Sequence, residues 1–287
     1  MSVTAIPVHP LPGRTTGGVL VERIRPRTAP ARNEVHRHDF HEIFFIAEGE
    51  GQHMIDLETH AVSAPCLHAI APGQVHRLLR SPDSSGKVVM FQREIVDGTA
   101  GEQDIRQLFG PWNPKPVMRL SAAQLQEADV LLGLLEKETR IGGATAQRVA
   151  TGLLGVLLAK SAQWMRGAAP TIEDIGSNDP VRRFLADVDR DFLTERRVSA
   201  YAERYALTTD HLSDLLRSRI GKSAMDVLQD RLILEAKRLL LHASMSVKEV
   251  GFALNMEDPA YFSRVFKKAT GMTPGDYREH VRGLYEG

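Results

Sequence analysis

Residues 258–274, Asp258-Pro259-Ala260-Tyr261-Phe262-Ser263-Arg264-Val265-Phe266-Lys267-Lys268-Ala269-Thr270-Gly271-Met272-Thr273-Pro274, leave little choice beyond a short, capped helix. Asp258 suits the N-cap, and Pro259 suits the first helical position, where its missing N–H would be unpaired anyway. Phe262, Val265 and Phe266 recur at helical spacing and are expected to face inward, which leaves Ser263, Arg264, Lys267 and Lys268 on a polar, basic outer face. Just ahead, Ser246-Val247-Lys248-Glu249 is a capping box in which Ser246 caps and Glu249 reaches back. The helix it opens, Val247 to about Leu254, is expected to bury Val247, Val250 and Leu254. It ends at Asn255, a residue that tolerates the left-handed backbone of a tight turn. Helix, turn and basic helix make a helix-turn-helix.

The same pattern occurs about 50 residues earlier, from Ala202 to Gly221, as a first helix, a turn, a second helix capped by Thr208 and a glycine stop. Between the two units, residues 223–242 read as one long amphipathic helix with Val227, Leu228, Leu232, Leu234, Ala236, Leu239 and Leu240 as its apolar positions. One such unit is weak evidence, because a small all-α domain that merely packs can show it. Two in tandem, joined by a single helix, favour a reader of double-stranded DNA.

Residues 198–280 resemble the DNA-binding domain of the AraC/XylS family of bacterial transcription regulators. The likeness is carried by Ala202…Leu212…Gly221, by Arg231-Leu232…Glu235-Ala236-Lys237-Arg238-Leu239-Leu240, and by Ala260-Tyr261-Phe262-Ser263-Arg264-Val265-Phe266-Lys267-Lys268 with Gly271, Thr273-Pro274 and Tyr277-Arg278. Gly251 stands where the family usually has Ala, Asn255-Met256 replaces a Gly-Phe turn, and Leu216 replaces a Phe. None of these removes a cap or an apolar anchor. The resemblance implies that Thr209, Asp210, Ser213 and Asp214 face bases from the first reading helix, with Thr208 at its cap and Arg217 nearer the phosphates. In the second it implies Pro259, Ala260, Ser263 and Arg264 at bases, and Lys267 and Lys268 at phosphates. Two acidic residues suit selection rather than attraction, since Asp accepts from cytosine N4.

Charge is arranged rather than abundant. The chain of 287 residues balances 36 basic against 36 acidic side chains, and residues 179–287 hold 18 and 17, so even this half is not a basic domain. Non-specific affinity for nucleic acid should be modest, with binding dependent on paired half-domains and dimerisation. The length suits two domains. We expect an effector-binding and dimerisation domain over 1–167, a linker over 168–180 and the double helix-turn-helix domain over 181–287, with Arg196 and Arg197 placed for phosphate contact. The single cysteine, Cys66, cannot form an internal disulfide and fits a reducing cytoplasm as a buried strand residue. No apolar run spans a membrane, and Met1 to Gly13 reads as a Pro-containing arm rather than a signal peptide.

The N-terminal half changes period. Val19–Ile24, Ile43–Ile46, His53–Leu57, Leu67–Ile70, Val75–Leu79 and Val88–Gln92 are short strand signals separated by turn clusters, which suggests an antiparallel β-barrel or jelly roll. From Ser121, a plausible cap, Leu125, Ala128, Leu131, Leu132 and Leu135 share a helical face. A second helix over Ala144 to Arg166 presents Val149, Leu153, Val156, Leu157 and Trp164, and Ile141-Gly142-Gly143 joins the two as a hairpin. The fold class expected is α+β, a cupin-like barrel with a helical hairpin followed by an all-α domain.

His36-Arg37-His38-Asp39-Phe40-His41-Glu42 followed later by Pro72-Gly73-Gln74-Val75-His76 resembles the cupin metal signature. His36 and His38 share one side of an extended segment, and Glu42 and His76 would join them. Imidazoles plus a carboxylate suit a divalent transition metal. In the other reading no cofactor is needed, and His36, His38, Glu42, Phe44 and His76 line a pocket for a small organic effector, with Arg14, Arg23, Arg25, Arg27, Arg32 or Arg77 available to clamp a carboxylate. His41 is expected at the surface, and His53, His60 and His68 are assigned only to strands or loops. The chain thus reads as a cytoplasmic, effector-controlled transcription activator, a homodimer that would contact RNA polymerase. The alternatives are a metal-dependent cupin enzyme or metal sensor with a DNA-binding tail, and a constitutive DNA-binding protein whose barrel only dimerises. No nucleophile elbow, phosphate loop or HExxH helix supports an enzyme.

Overall fold

The computed structural model describes residues 8–11, 18–26, 35–56, 58–97, 99, 101–110, 116–166, 179–241 and 245–286. Most of the N-terminal arm, Arg14, Arg27, Arg32 and linker residues 168–178 lie outside the described residues. The chain divides into two compact units, with the division falling near residue 167 of the sequence.

In the first unit, alternating apolar residues build two sheets. Strands β1 (Val8–His9), β2 (Val19–Ile24), β3 (Arg37–His38), β4 (His41–Glu48), β5 (Glu50–Ile55), β6 (Glu58–Ser63), β7 (Cys66–Ile70), β8 (His76–Arg80) and β9 (Ser85–Phe91) precede helix α1 (Gly101–Phe109) and strand β10 (Val117–Arg119). One sheet runs β10-β7-β4-β9-β2 and the other β6-β5-β8, all antiparallel, while β1 and β3 form a short parallel pair. The period-2 pattern sorts side chains onto two faces. Phe44, Ile46, Cys66, Ile70, Val88 and Met90 of the larger sheet pack with Ile55, Val62 and Leu78 of the smaller. Ile43, Phe45, Leu67, Ala69, Val89 and Phe91 face the other way, onto helices. Buried Cys66 has its thiol pushed up by desolvation, which leaves it a packing residue.

Those helices are α1, α2 (Ala122–Ile141) and α3 (Gly143–Arg166). Ser121 and Gln124 form a reciprocal capping box at the start of α2, and Gly142, at φ 71°, ends it. α2 lies on β2, β4 and β9, where Arg23 grips Glu136 through two short bonds of 3.0 and 3.1 Å; the lowered Glu136 carboxyl follows from that guanidinium. Arg23 is therefore committed to fold rather than to a ligand. The buried face of α3 differs from the sequence expectation. Ala146, Ala150, Leu154, Leu157, Leu158 and Ala162 are buried, whereas Val149 and Val156 are 43% and 47% exposed. Alanines and leucines share the stripe that packs on α1 and α2, and the β-branched valines stay outside it. Sequence reading also missed α1, which packs on α3 and β7.

The second unit is all helix: α4 (Pro180–Asp191), α5 (Val198–Arg204), α6 (Thr209–Ile220), α7 (Ala224–Leu240), α8 (Val247–Ala253), α9 (Pro259–Thr270) and α10 (Pro274–Glu286). Asp179 caps α4 by accepting from Val181 and Arg182, and Ser223 caps α7 with Asp226 reaching back. Ala224, Val227, Leu228, Leu232, Ile233, Ala236 and Leu240 are the buried stripe of α7, while Leu234 and Leu239 sit at its margins. That stripe packs α4, α6, α8 and α9 around one long helix. Among the described residues, no helix is long and apolar enough to cross a membrane.

Candidate functional site

Two arrangements in the molecule carry chemistry, one at each unit. The first is the pair of exposed helices α6 and α9. Helix α5 ends at Arg204, the chain turns through Ala206 at φ 56°, and Thr208 caps α6 by accepting from His211 N–H. Helix α8 ends at Ala253, the chain turns through Asn255 at φ 55°, and Asp258 caps α9 by accepting from Ala260 N–H. Gly221 and Gly271, at φ 72° and 79°, take the left-handed conformation that closes each reading helix. Leu212 and Leu216 anchor α6 inward; Phe262 and Phe266 anchor α9. The first helix of the earlier unit begins at Val198, ahead of the Ala202 start read from the sequence.

The outward faces are now fixed. Thr208, Thr209, Asp210, Asp214 and Arg217 are exposed on α6, with Ser213 half-buried between them. Arg217 leans on Asp214 at 3.0 Å, so part of its charge is already answered. On α9, Ala260, Arg264, Lys267 and Lys268 are exposed and Pro259 and Ser263 are half-buried. The Ser263 hydroxyl donates to Pro259 O at 2.9 Å, back into its own helix. Tyr261, half exposed beside the Arg264 guanidinium, and His211 on α6 complete these faces; neither was singled out in the sequence. Arg196, expected at a phosphate, is half-buried. It donates to the Leu254 carbonyl at the end of α8, and burial lowers its pKa. Arg197 pairs with Glu195.

The second arrangement is inside the sheet unit. His38, Glu42 and His76 bring one ligand-type atom each within 4.8 Å of one another, all buried. His38 donates from Nδ1 to Phe40 O at 2.7 Å, and its Nε2 faces Glu42 Oε2 at 3.1 Å. His76 Nε2 is buried without a hydrogen-bond partner, 3.7 Å from the same carboxylate oxygen. His36 stands apart from this set. It lies outside the group whose ligand-type atoms fall within 4.8 Å, exchanges both backbone hydrogen bonds with His76, and holds its ring tilted 54° to that of His76 with centroids 4.3 Å apart. Phe44 faces the same interior, edge-on to His53 at 5.2 Å.

Three histidines are placed differently from expectation. His41 is buried, stacked on Phe91 at 5.1 Å and against Phe109 of α1 at 4.7 Å. The surface assignment failed because α1, unseen in the sequence, covers that face. His53 and His68 do lie on strands, but both are fully buried and linked Nδ1 to Nδ1 at 3.1 Å; His53 Nε2 then reaches His76 Nδ1 at 3.1 Å. Desolvation dominates, pushing His53 and His76 well below the usual imidazole range and His68 down to about 4, so all three rings are neutral near pH 7. Their spacing in sequence carries no signal, because three different strands supply them.

Comparison with known proteins covers both units. Residues 201–280 match the family described as "Helix-turn-helix domain", and residues 19–141 match "AraC-like ligand binding domain". The HTH-type transcriptional activator RhaS of Salmonella arizonae is 25% identical over 261 residues, covering 89% of this chain and 91% of that protein. RhaS of Salmonella typhimurium is 25% identical over 271 residues, with the same shares covered, 89% and 91%. Among solved structures, ToxT of Vibrio cholerae O395 matches with TM-score 0.45 and 14% identity, covering 92% of this chain and 98% of that one.

Proposed function

Because the chain belongs to the AraC/XylS family of effector-controlled, DNA-binding transcription regulators, we propose that it acts as a dimeric activator that reads two successive major-groove segments with α6 and α9. The observation that carries this reading is the matched pair of capped, outward-facing helices held by one buried stripe of α7. α9 supplies attraction through Arg264, Lys267 and Lys268, while α6 presents Asp210 and Asp214 for base selection. Contact with RNA polymerase is proposed as well, and the word activator in its relatives' names supports it. Dimerisation through α2 and α3 is supported by exposed apolar side chains, Val130, Leu134, Ile141, Val149 and Val156. A small organic effector is proposed at the buried cluster of His38, Glu42, Phe44 and His76, with His36 beside it, where it would bias the dimer toward one arrangement on DNA. The test is selection of bound duplexes from a random library by the full chain. Enrichment of paired motifs about one helical turn apart, lost in Arg264→Ala, is expected; no enriched motif would sink the reading.

A second reading, metal sensing, is favoured by one observation. His76 Nε2 is a buried nitrogen with no hydrogen-bond partner, facing Glu42 and His38. The donor set fits a divalent transition metal: two imidazoles and a carboxylate, with His38 already tied by its outer nitrogen to a carbonyl, as metal-ligating histidines usually are. His38, Glu42 and His76 would hold the ion, whose role would be that of an effector. Elemental mass spectrometry of the purified wild type beside His38→Ala decides it. One equivalent of metal, lost in the variant, supports sensing, and no metal in either leaves the organic effector.

A further inference from the structure

His38 and His76 present the same problem at the proposed metal site, and the fold solves it twice with different groups. An imidazole that ligates through Nε2 must carry its proton on Nδ1, and that proton needs an acceptor. For His38 the acceptor is the Phe40 carbonyl at 2.7 Å. For His76 no carbonyl serves among the described residues. Its Nδ1 meets His53 Nε2 at 3.1 Å, and His53 Nδ1 meets His68 Nδ1 at 3.1 Å. The three rings come from β8, β5 and β7, so both sheets contribute. Phe44 closes one side, edge-on to His53.

A neutral imidazole has one N–H and one lone pair, so three rings joined by two N–H···N bonds allow only two proton arrangements. In the first, His76 donates from Nδ1 to His53, His53 donates from Nδ1 to His68, and His76 Nε2 is bare. In the second every proton is reversed, and His76 carries its proton on Nε2, aimed at a carboxylate oxygen 3.7 Å away. The first leaves the far N–H of His68 unbonded among the described residues, since His68 Nε2 is buried without a partner. The second leaves only a lone pair there, which costs less. An ion at His76 Nε2 reverses that preference, because it needs the lone pair that only the first arrangement supplies.

We propose that His53, backed by His68, is the positioning partner of His76 in a divalent transition-metal site: it accepts the Nδ1 proton of His76 and so frees Nε2 to ligate beside His38 and Glu42. This rests on the metal-sensing reading above. Neither His53 nor His68 touches the ion. They act through tautomer and ring orientation, and their loss should weaken binding without removing a ligand.

The experiment titrates full-length protein with Co(II), following its visible absorption, with a thermal melt of each variant as a check on folding. Wild type is expected to bind one equivalent, and His38→Ala to lose it. His53→Phe, which keeps the ring and the packing against Phe44, is expected to bind 10–100-fold more weakly with the ligand spectrum retained. His53→Gln restores an acceptor and should recover most of the loss. If His53→Phe binds Co(II) as the wild type does, the positioning role falls and the metal site stands. If wild type binds no Co(II), or His38→Ala binds it equally, the metal reading falls and the proposal falls with it. Nitrogen-15 spectra of Zn(II)-loaded wild type give an answer that no variant's folding affects: His76 protonated at Nδ1 is expected, and any other tautomer overturns the proposal.

Discussion

The two helix-turn-helix units share a scaffold and differ on their surfaces. Each has a first helix of 7 residues and a reading helix of 12, and each reading helix ends at a left-handed glycine. Each reading helix is anchored by two buried side chains four residues apart, Leu212 and Leu216 or Phe262 and Phe266. The outer faces diverge. α6 presents Asp210 and Asp214, with Arg217 held by Asp214; α9 presents Arg264, Lys267 and Lys268. The entry to each unit differs too, since Ser246 and Glu249 form a capping box on α8 while no side chain caps α5. Anchors, caps and glycines keep the geometry, and the exposed positions are then free to separate attraction from selection.

The anchors give the sharpest test of that equivalence. Phe266→Ala should cost about 3–5 kcal/mol and Leu216→Ala about 2–5 kcal/mol, both measured by urea unfolding. A negligible loss at either would show that its unit does not depend on the anchor. The next contrast is in recognition. Arg264→Ala should weaken the preferred duplex by about 1–3 kcal/mol and relax preference at one base pair. Asp214→Ala should instead raise affinity for scrambled duplex while flattening selectivity, because it frees Arg217 as it removes an acceptor. Fluorescence anisotropy on both duplexes distinguishes the two, and the same sign of change in both variants would break the division of labour. Lys267→Ala should reduce the slope of log affinity against log salt by about one, uniformly across sequences.

The smallest effects concern the turns. Ala206 and Asn255 occupy equivalent left-handed positions. Ala206→Gly should gain about 1 kcal/mol by relieving its Cβ. Asn255→Gly should gain nothing, because Asn tolerates this conformation and its Nδ2 donates to Leu193 O at 3.2 Å. Gly251→Ala should stabilise α8 by up to about 1 kcal/mol, since an added Cβ meets Met256 O and Phe262 at an ordinary 3.6 Å. Thermal melts rank the three, and a gain in Asn255→Gly would show the turns to be interchangeable.

Much of the helical unit was legible because its signals are local. Ser246 with Glu249, Thr208, Asp258 with Pro259, and the glycines after each reading helix lie within a few residues of what they control. The sheet unit was legible only in part. Six strands were read from short β-rich runs between turn clusters, but β6, which places Glu58, Thr59, Ala61 and Ser63 toward solvent, was not, and neither were the short β1, β3 and β10. α3 misled because its packed stripe includes Ala146, Ala150 and Ala162 while larger Val149 and Val156 stay outside.

The sequence by itself determined the caps and glycine stops of α6 and α9 and the side chains those helices present. Those follow from capping, from the helical period and from short spacings, which act over one or two turns. Only the tertiary structure decided that His41 lies under α1, that His36 pairs with His76 outside the cluster of His38, Glu42 and His76, and that His53 and His68 hydrogen-bond in line with His76. The first depends on a helix packing over the sheet, the other two on which strands pair and in which register. A histidine's partner across a sheet is chosen by that pairing, which residues distant in the chain settle together.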